Sequence, residues 1–151
     1  MTLTTPFDLA QRYVGIREIA GGRDHPLVQW WLSLCGFSTD TPDEVAWCSA
    51  FLNGIMWEMR LPRTKSAAAR SWLGIGTVVN YAEARSGFDV CILKRGSDPQ
   101  PDATVLNAPG HVGFFAGLSG GNILLLAGNQ NDGVCILPVD HSKLLGIRRV
   151  S

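Results

Sequence analysis

Trp47-Cys48-Ser49-Ala50-Phe51-Leu52-Asn53-Gly54-Ile55-Met56-Trp57-Glu58-Met59-Arg60-Leu61-Pro62 is the stretch on which the fold turns. Phe51, Leu52, Ile55, Met56 and Met59 recur at the spacing of one helix face. The Leu61-Pro62 step ends that helix, because proline disfavours helical backbone in the residue before it. Cys48 stands at the helix start, one turn before Phe51, and so on the inward face.

Toward the N-terminus, Thr5-Pro6 reads as an N-cap and first helical position, and Leu9, Ala10, Tyr13 and Val14 repeat at helical spacing. This first helix is expected to end near Gly15. After a Gly21-Gly22 turn, Pro26 opens a second apolar stretch, Leu27 to Leu34, with Gly36 as its stop. Phe37 to Val45, with Asp40, Pro42, Asp43 and Glu44, reads as a loop leading into Trp47. Beyond the central helix, Ala67 to Leu73 is expected to add a short fourth helix, broken by Gly74 and Gly76.

Past Gly87 the pattern changes to short apolar runs between turn residues: Val90 to Leu93, His111 to Ala116, Asn122 to Ala127, Val134 to Leu137 and Leu145 to Val150. Ser119-Gly120-Gly121 and Asn131-Asp132-Gly133 are short enough for hairpins, so the sheet is expected to be antiparallel. Helices first and a meander second predict an α+β fold with the Cys48 helix packed on the sheet. Pro99 to Asp102 is a surface loop, since the strands on either side are too few to fold alone, and residues 1–151 read as one domain.

The chain has 151 residues, 46% of them hydrophobic, enough for one buried core. Lys plus Arg and Asp plus Glu number 13 each, so no basic field invites a phosphate backbone and nucleic acid is not an expected partner. The first residues lack the basic and apolar pattern of a secretory signal, and no run approaches the roughly 18 apolar residues of a membrane span. Synthesis in the cytoplasm, no membrane insertion and a monomer are the expectations. Cys35, Cys48, Cys91 and Cys135 form no Cys-x-x-Cys pair, which argues against a zinc ribbon or a thioredoxin-like motif. Three of them lie in apolar runs, where buried free thiols are common.

A helix N-terminus offers unpaired N–H groups and partial positive charge, which favour a thiolate and an oxyanion formed beside it. Cys48 is therefore a candidate nucleophile; the alternative is a small hydrophobe that happens to begin a helix. A thiolate that cleaves amides needs a base, and the base needs an orienting group. Among His25, His111 and His141, His111 opens an apolar strand after Pro109-Gly110, and Gly113 on its own face would leave the ring room beside a substrate. His25, beside Pro26, and His141, in a turn, read as solvated. The next strand runs out into Gly128-Asn129-Gln130-Asn131, where Asn129 is the right type to accept from the imidazole, although such residues are also ordinary turn formers.

Taken in order, Asp43-Glu44-Val45-Ala46-Trp47-Cys48-Ser49-Ala50-Phe51, then Gly110-His111-Val112-Gly113-Phe114-Phe115, then Gly128-Asn129-Gln130 resemble the CHAP group of cysteine, histidine-dependent amidohydrolases and peptidases, closest to a phage and prophage branch. Ala69-Arg70-Ser71-Trp72, Leu93-Lys94-Arg95-Gly96 and Gly146-Ile147-Arg148-Arg149 resemble it too, so the likeness covers most of the chain. It implies a papain-like fold and a peptidoglycan substrate, with Cys48 as nucleophile, His111 as base and Asn129 as orienting residue. The implied protein is a phage endolysin or tail-associated lysin, acting on the wall after release or within a phage particle. Two departures stand out: Ala127 occupies a position that is acidic in many CHAP domains, and acidic calcium-binding motifs have no clear counterpart. No metal or cofactor is expected.

Trp47, Trp72 and Gln130 are candidate substrate-groove residues, against the alternative that large aromatics beside a helix belong to the core. Glu44 either meets a basic substrate group or solvates its loop. Competing functions are a cysteine acyltransferase or deamidase acting on a protein, and a non-enzymatic part of a virion or secretion apparatus. A zinc site from Cys48, His111 and His141 lacks a close ligand pair.

Overall fold

The computed structural model describes residues 3–19, 25–38, 46–96 and 99–151. The expected Gly21-Gly22 turn and the Asp40 to Val45 part of the loop, Glu44 included, lie outside the described residues.

Helix α1 (Pro6–Gln11) begins at the expected cap. Asp8 N donates to Thr5 Oγ1 at 3.2 Å and Thr5 N donates to Asp8 Oδ2 at 2.8 Å, a reciprocal capping box. The Thr5 N–H and hydroxyl, both donating to Asp8 Oδ2, hold that carboxyl below its ordinary value. The helix stops before the expected Gly15, because Arg12, Tyr13 and Val14 bond back three residues in tighter turns. Helix α2 (Pro26–Ser33) is capped by His25, whose Nδ1 accepts from Leu27 N at 3.1 Å. Helix α3 (Cys48–Met59) closes at Arg60, in the left-handed region at φ 57°. The expected fourth helix forms instead as a 3₁₀ segment, Ala69–Gly74. Its preceding residues are tied to side chains, Ala68 N to Ser66 Oγ and Ser66 O to Ser49 Oγ, which leaves no regular α-helical ladder to extend.

The strands are β1 (Thr77–Val78), β2 (Asp89–Leu93), β3 (His111–Ser119), β4 (Asn122–Gln130), β5 (Gly133–Asp140) and β6 (Leu144–Arg149). They form one antiparallel sheet in the order β1-β6-β2-β3-β4-β5, so the chain has the expected mixed α+β fold. Strand β1 was not legible in the sequence: two exposed residues show no alternation. Pro138 sits on β5 at the sheet edge, where a missing N–H costs no ladder bond. The β4–β5 hairpin turns on Asn131 (φ 48°) and Asp132 (φ 58°), both left-handed, as a tight two-residue turn requires.

Helix α3 lies on β3 and β4 with α1 and α2 against its other side. Its Gly54 is demanded by packing, since a Cβ there would stand 2.2 Å from the Trp31 indole. Trp31 and Phe51 meet edge to face at 4.9 Å and Trp31 stacks on Trp47 at 5.8 Å, so an aromatic core fixes the first turn of α3. The opposite sheet face holds a second core of Cys91, Phe115, Ile123, Leu125 and Ile147, closed by Tyr81 and Leu144. Strand β2 is buried throughout, and its Asp89 is matched by a two-pronged bond from Arg149 at 2.6 and 2.8 Å.

Candidate active site

The N–H groups of Val112 on β3, of Ser49 and of Cys48 itself all favour the charged form of the Cys48 thiol. Cys48 is 2% exposed. Burial pushes the thiol above its ordinary value, and the Val112 N–H, the Arg95 guanidinium and the two helix N–H groups pull it back. The helix start is held to its surroundings by a buried polar network. Ser49 Oγ donates to Ser66 O at 2.6 Å and accepts from Trp72 Nε1 at 2.8 Å. Asn53 Nδ2 donates to Ser49 O at 3.0 Å while its Oδ1 accepts from Lys65 N at 2.8 Å.

His111 immediately precedes Val112, so the strand that touches the thiol also carries the imidazole. Its Nε2 lies 3.0 Å from Gln130 Oε1. Gln130 is 6% exposed, and its Nε2 faces the carbonyls of Leu125 at 3.2 Å and Cys135 at 2.9 Å. Carbonyls only accept, so the amide nitrogen must point at them and the amide oxygen at the ring. The ring is therefore protonated on Nε2, and Nδ1 keeps the lone pair that can take a proton. Burial lowers the His111 pKa, the Gln130 bond opposes that shift, and Arg95 adds to it. A neutral imidazole with a defined acceptor nitrogen is the form a general base needs. Among the described residues no hydrogen bond joins thiol to imidazole directly; the link is the shared backbone at Val112.

It is thus Gln130, and not Asn129, whose side chain meets the imidazole. The Phe114–Leu126 and Phe115–Leu125 pairs, extended toward the start of β3, would set Asn129 opposite His111. The register slips between Ala127 and Gln130, and the extra residue of this bulge carries the next side chain to the ring. Asn129 sits in the bulge at φ 57°, a conformation asparagine tolerates better than most residues. The pairing of Gly128 with Asn129 was the signal for a bulge.

Trp47 and Trp72 do not line a groove. Both are fully buried, and the Trp47 indole donates to Glu18 Oε1 at 2.7 Å as Trp72 donates to Ser49. Gly113 likewise gives the ring no room: a Cβ there would meet Ala127 and Leu125 at 2.7 Å, so glycine is set by the β3–β4 contact. Gly128 serves the same end, its missing Cβ being replaced by the Trp47 ring.

A cleft of about 170 Å³ opens onto Cys48. Five alanines wall it, Pro109 and Gly110 close one side, and Arg95 stands at its edge. Across Ala68 lies a larger depression of about 530 Å³ with Thr64, Ser71 and Asn107 in its lining. Sequence reasoning assigned no role to Arg70, which is fully buried and donates to four loop carbonyls, those of Pro101, Asp102, Val105 and Pro109, at 2.7 to 3.0 Å. It fixes the loop that delivers His111. Among the described residues no group of three His, Cys, Asp or Glu side chains could hold a metal ion, and no helix is long and apolar enough to cross a membrane. His141 packs on Tyr81 at 5.0 Å.

No protein-family model matches the chain, and no curated protein matches it.

Proposed function

We propose that this chain is a papain-like cysteine hydrolase of the CHAP type, and that it cleaves an amide bond in the peptide part of peptidoglycan. What supports the reading is that Cys48 begins α3 beside the Val112 N–H of β3, and that His111, the residue before Val112, is held by Gln130 in the tautomer of a base. The order of parts, thiol on a helix start, imidazole on a strand, amide at the end of the next strand, is the order expected of that superfamily. The cleft and the depression beyond Ala68 together offer an extended path for a peptide.

In this mechanism His111 Nδ1 removes the Cys48 proton as sulfur attacks the amide carbon. The N–H groups of Cys48 and Ser49, at the start of α3, would receive the oxyanion. His111 then protonates the leaving amine, the C–N bond breaks, and a thioester remains. Water, deprotonated by the same imidazole, hydrolyses it and restores the thiol. Gln130 accepts from Nε2–H throughout, when the ring is neutral and when it is charged. The phage lysin role and action at the wall belong to the same proposal.

The test is digestion of purified sacculi by wild type and Cys48→Ala, with released fragments identified by mass spectrometry. Free stem peptides would indicate an amidase, and shortened stems still on glycan an endopeptidase. Release by wild type that is lost in Cys48→Ala is the expected result. No release by wild type would overturn the peptidoglycan assignment and leave a protein-modifying acyltransferase or deamidase to be tested.

A further inference from the structure

The cleft over Cys48 has an unusual make-up. Its walls are methyl groups, and among the described residues that line it Arg95 alone is charged. Arg95 follows the end of β2 and is held by Gln100, whose side-chain oxygen accepts from Arg95 N at 3.0 Å and whose amide donates to Arg95 O. The backbone is pinned while the residue itself remains exposed. Among the described residues the one carboxylate–guanidinium pair is Asp89 with Arg149, so no described carboxylate neutralises Arg95.

We propose that Arg95 selects the substrate by pairing with a free carboxylate that flanks the scissile amide, the alanine walls offering an apolar seat to a small side chain beside it. This rests on the hydrolase reading above and names the substrate feature which that site reads. Peptidoglycan stems are built from alanine and acidic residues, so the required chemistry, a small side chain next to a free acid, is present in them. A guanidinium binds a carboxylate with two parallel N–H bonds, which fixes orientation as well as charge.

The alternative, that Arg95 exists only to stabilise the thiolate, meets an objection. Its charge favours the Cys48 thiolate but disfavours the His111 imidazolium that must form with it. A substrate carboxylate removes that opposition at the step when His111 takes the proton. Substrate choice would then appear in kcat as well as KM.

The experiment compares native sacculi with sacculi whose stem carboxylates have been converted to primary amides by carbodiimide and ammonia. Initial release rates are measured for wild type, Arg95→Lys and Arg95→Gln. Any effect of Arg95 on folding or on the thiol of the free enzyme is common to both substrates and cancels in the native-to-amidated ratio. For wild type a ratio of about tenfold or more is expected, as for a charge-assisted pair, falling to within roughly threefold of unity in Arg95→Gln. Arg95→Lys should fall between, keeping charge without the fork. A wild-type ratio near one, or a ratio that survives in Arg95→Gln, overturns the proposal while leaving the hydrolase reading intact. If wild type digests native sacculi no faster than Cys48→Ala, the hydrolase reading fails and this proposal with it.

Discussion

Replacing Gln130 with Ala separates the two neighbours that compete for the orienting role. In wild type its amide satisfies three buried groups: the His111 Nε2–H and the carbonyls of Leu125 and Cys135. At about 1 kcal/mol for each lost bond, Gln130→Ala should cost about 3 kcal/mol. A domain of this size is stable by about 5–15 kcal/mol and loses roughly 2–4 °C in Tm per kcal/mol, so the variant should fold but melt about 6–12 °C lower. Catalysis should fall further than folding. The ring would no longer be confined to the tautomer with a free Nδ1, and the imidazolium would lose an acceptor worth about 1.5–3 kcal/mol, or roughly 10- to 100-fold in kcat/KM. Asn129→Gly is the control. At φ 57° glycine is at ease, so stability should hold or rise by up to about 1 kcal/mol, with activity retained. The assays are release of soluble fragments from sacculi, thermal unfolding, and the imidazole nitrogen shifts, which should show a proton on Nε2 of His111 in wild type and a tautomer mixture in Gln130→Ala. A tenfold loss in Asn129→Gly with full activity in Gln130→Ala would refute the assignment.

Burial lowers the His111 pKa, so the folded state binds its proton less readily than the unfolded chain does; stability should therefore fall as pH drops below the ordinary histidine value of 6.5, and activity should persist to below that pH before protonation stops it. Chemical denaturation and initial rates between pH 4 and 8 would check both, and an acid limb above the ordinary value would contradict the burial argument. Burial also raises the Cys48 thiol, so its alkylation by iodoacetamide should climb with pH rather than run fast and flat at neutrality; a flat, fast profile would mean a standing thiolate–imidazolium pair. Arg70→Met strips four loop carbonyls of their donor and should cost about 3 kcal/mol or more, with hydrogen exchange rising first across Pro101 to Pro109. Unchanged exchange there would show that the loop holds itself. Gly128→Ala places a methyl 2.5 Å from the Trp47 ring, and should cost about 1–3 kcal/mol while slowing turnover through the shifted start of α3.

Much of this molecule is written in local pattern. The face formed by Phe51, Leu52, Ile55 and Met56 marks α3 because its period is that of a helix, and the turns at Gly120 and Asp132 mark the hairpins because few other residues accept their backbone angles. Cys48 and His111 stood out for the same reason, each being at the start of an element. What was hidden depends on register and on distant partners. One extra residue in β4 exchanges Asn129 for Gln130 at the imidazole, and no period-two reading foresees it. Trp47 and Trp72 look like groove aromatics until Glu18 and Ser49 are seen to satisfy their N–H groups across the fold. The role of Arg70 is hidden too, since the carbonyls that bury it lie more than thirty residues away.

The same burial that builds the site also sets its resting chemistry. Burying a thiol and an imidazole penalises both charged forms, and the two shifts oppose proton transfer together: Cys48 upward, His111 downward. The countervailing groups are fixed N–H dipoles that need no reorganisation, so they act as fully on an oxyanion as on a thiolate. On the hydrolase proposal the pair would rest neutral, with charge developing only as the substrate carbonyl arrives to receive it. Burial also shields the thiol, since oxidation proceeds through the thiolate. On this argument any change that hydrates the cleft, such as Ala69→Ser at its buried wall, should raise Cys48 reactivity toward iodoacetamide and toward peroxide together. If the two rates separated, access rather than ionisation would be the controlling quantity.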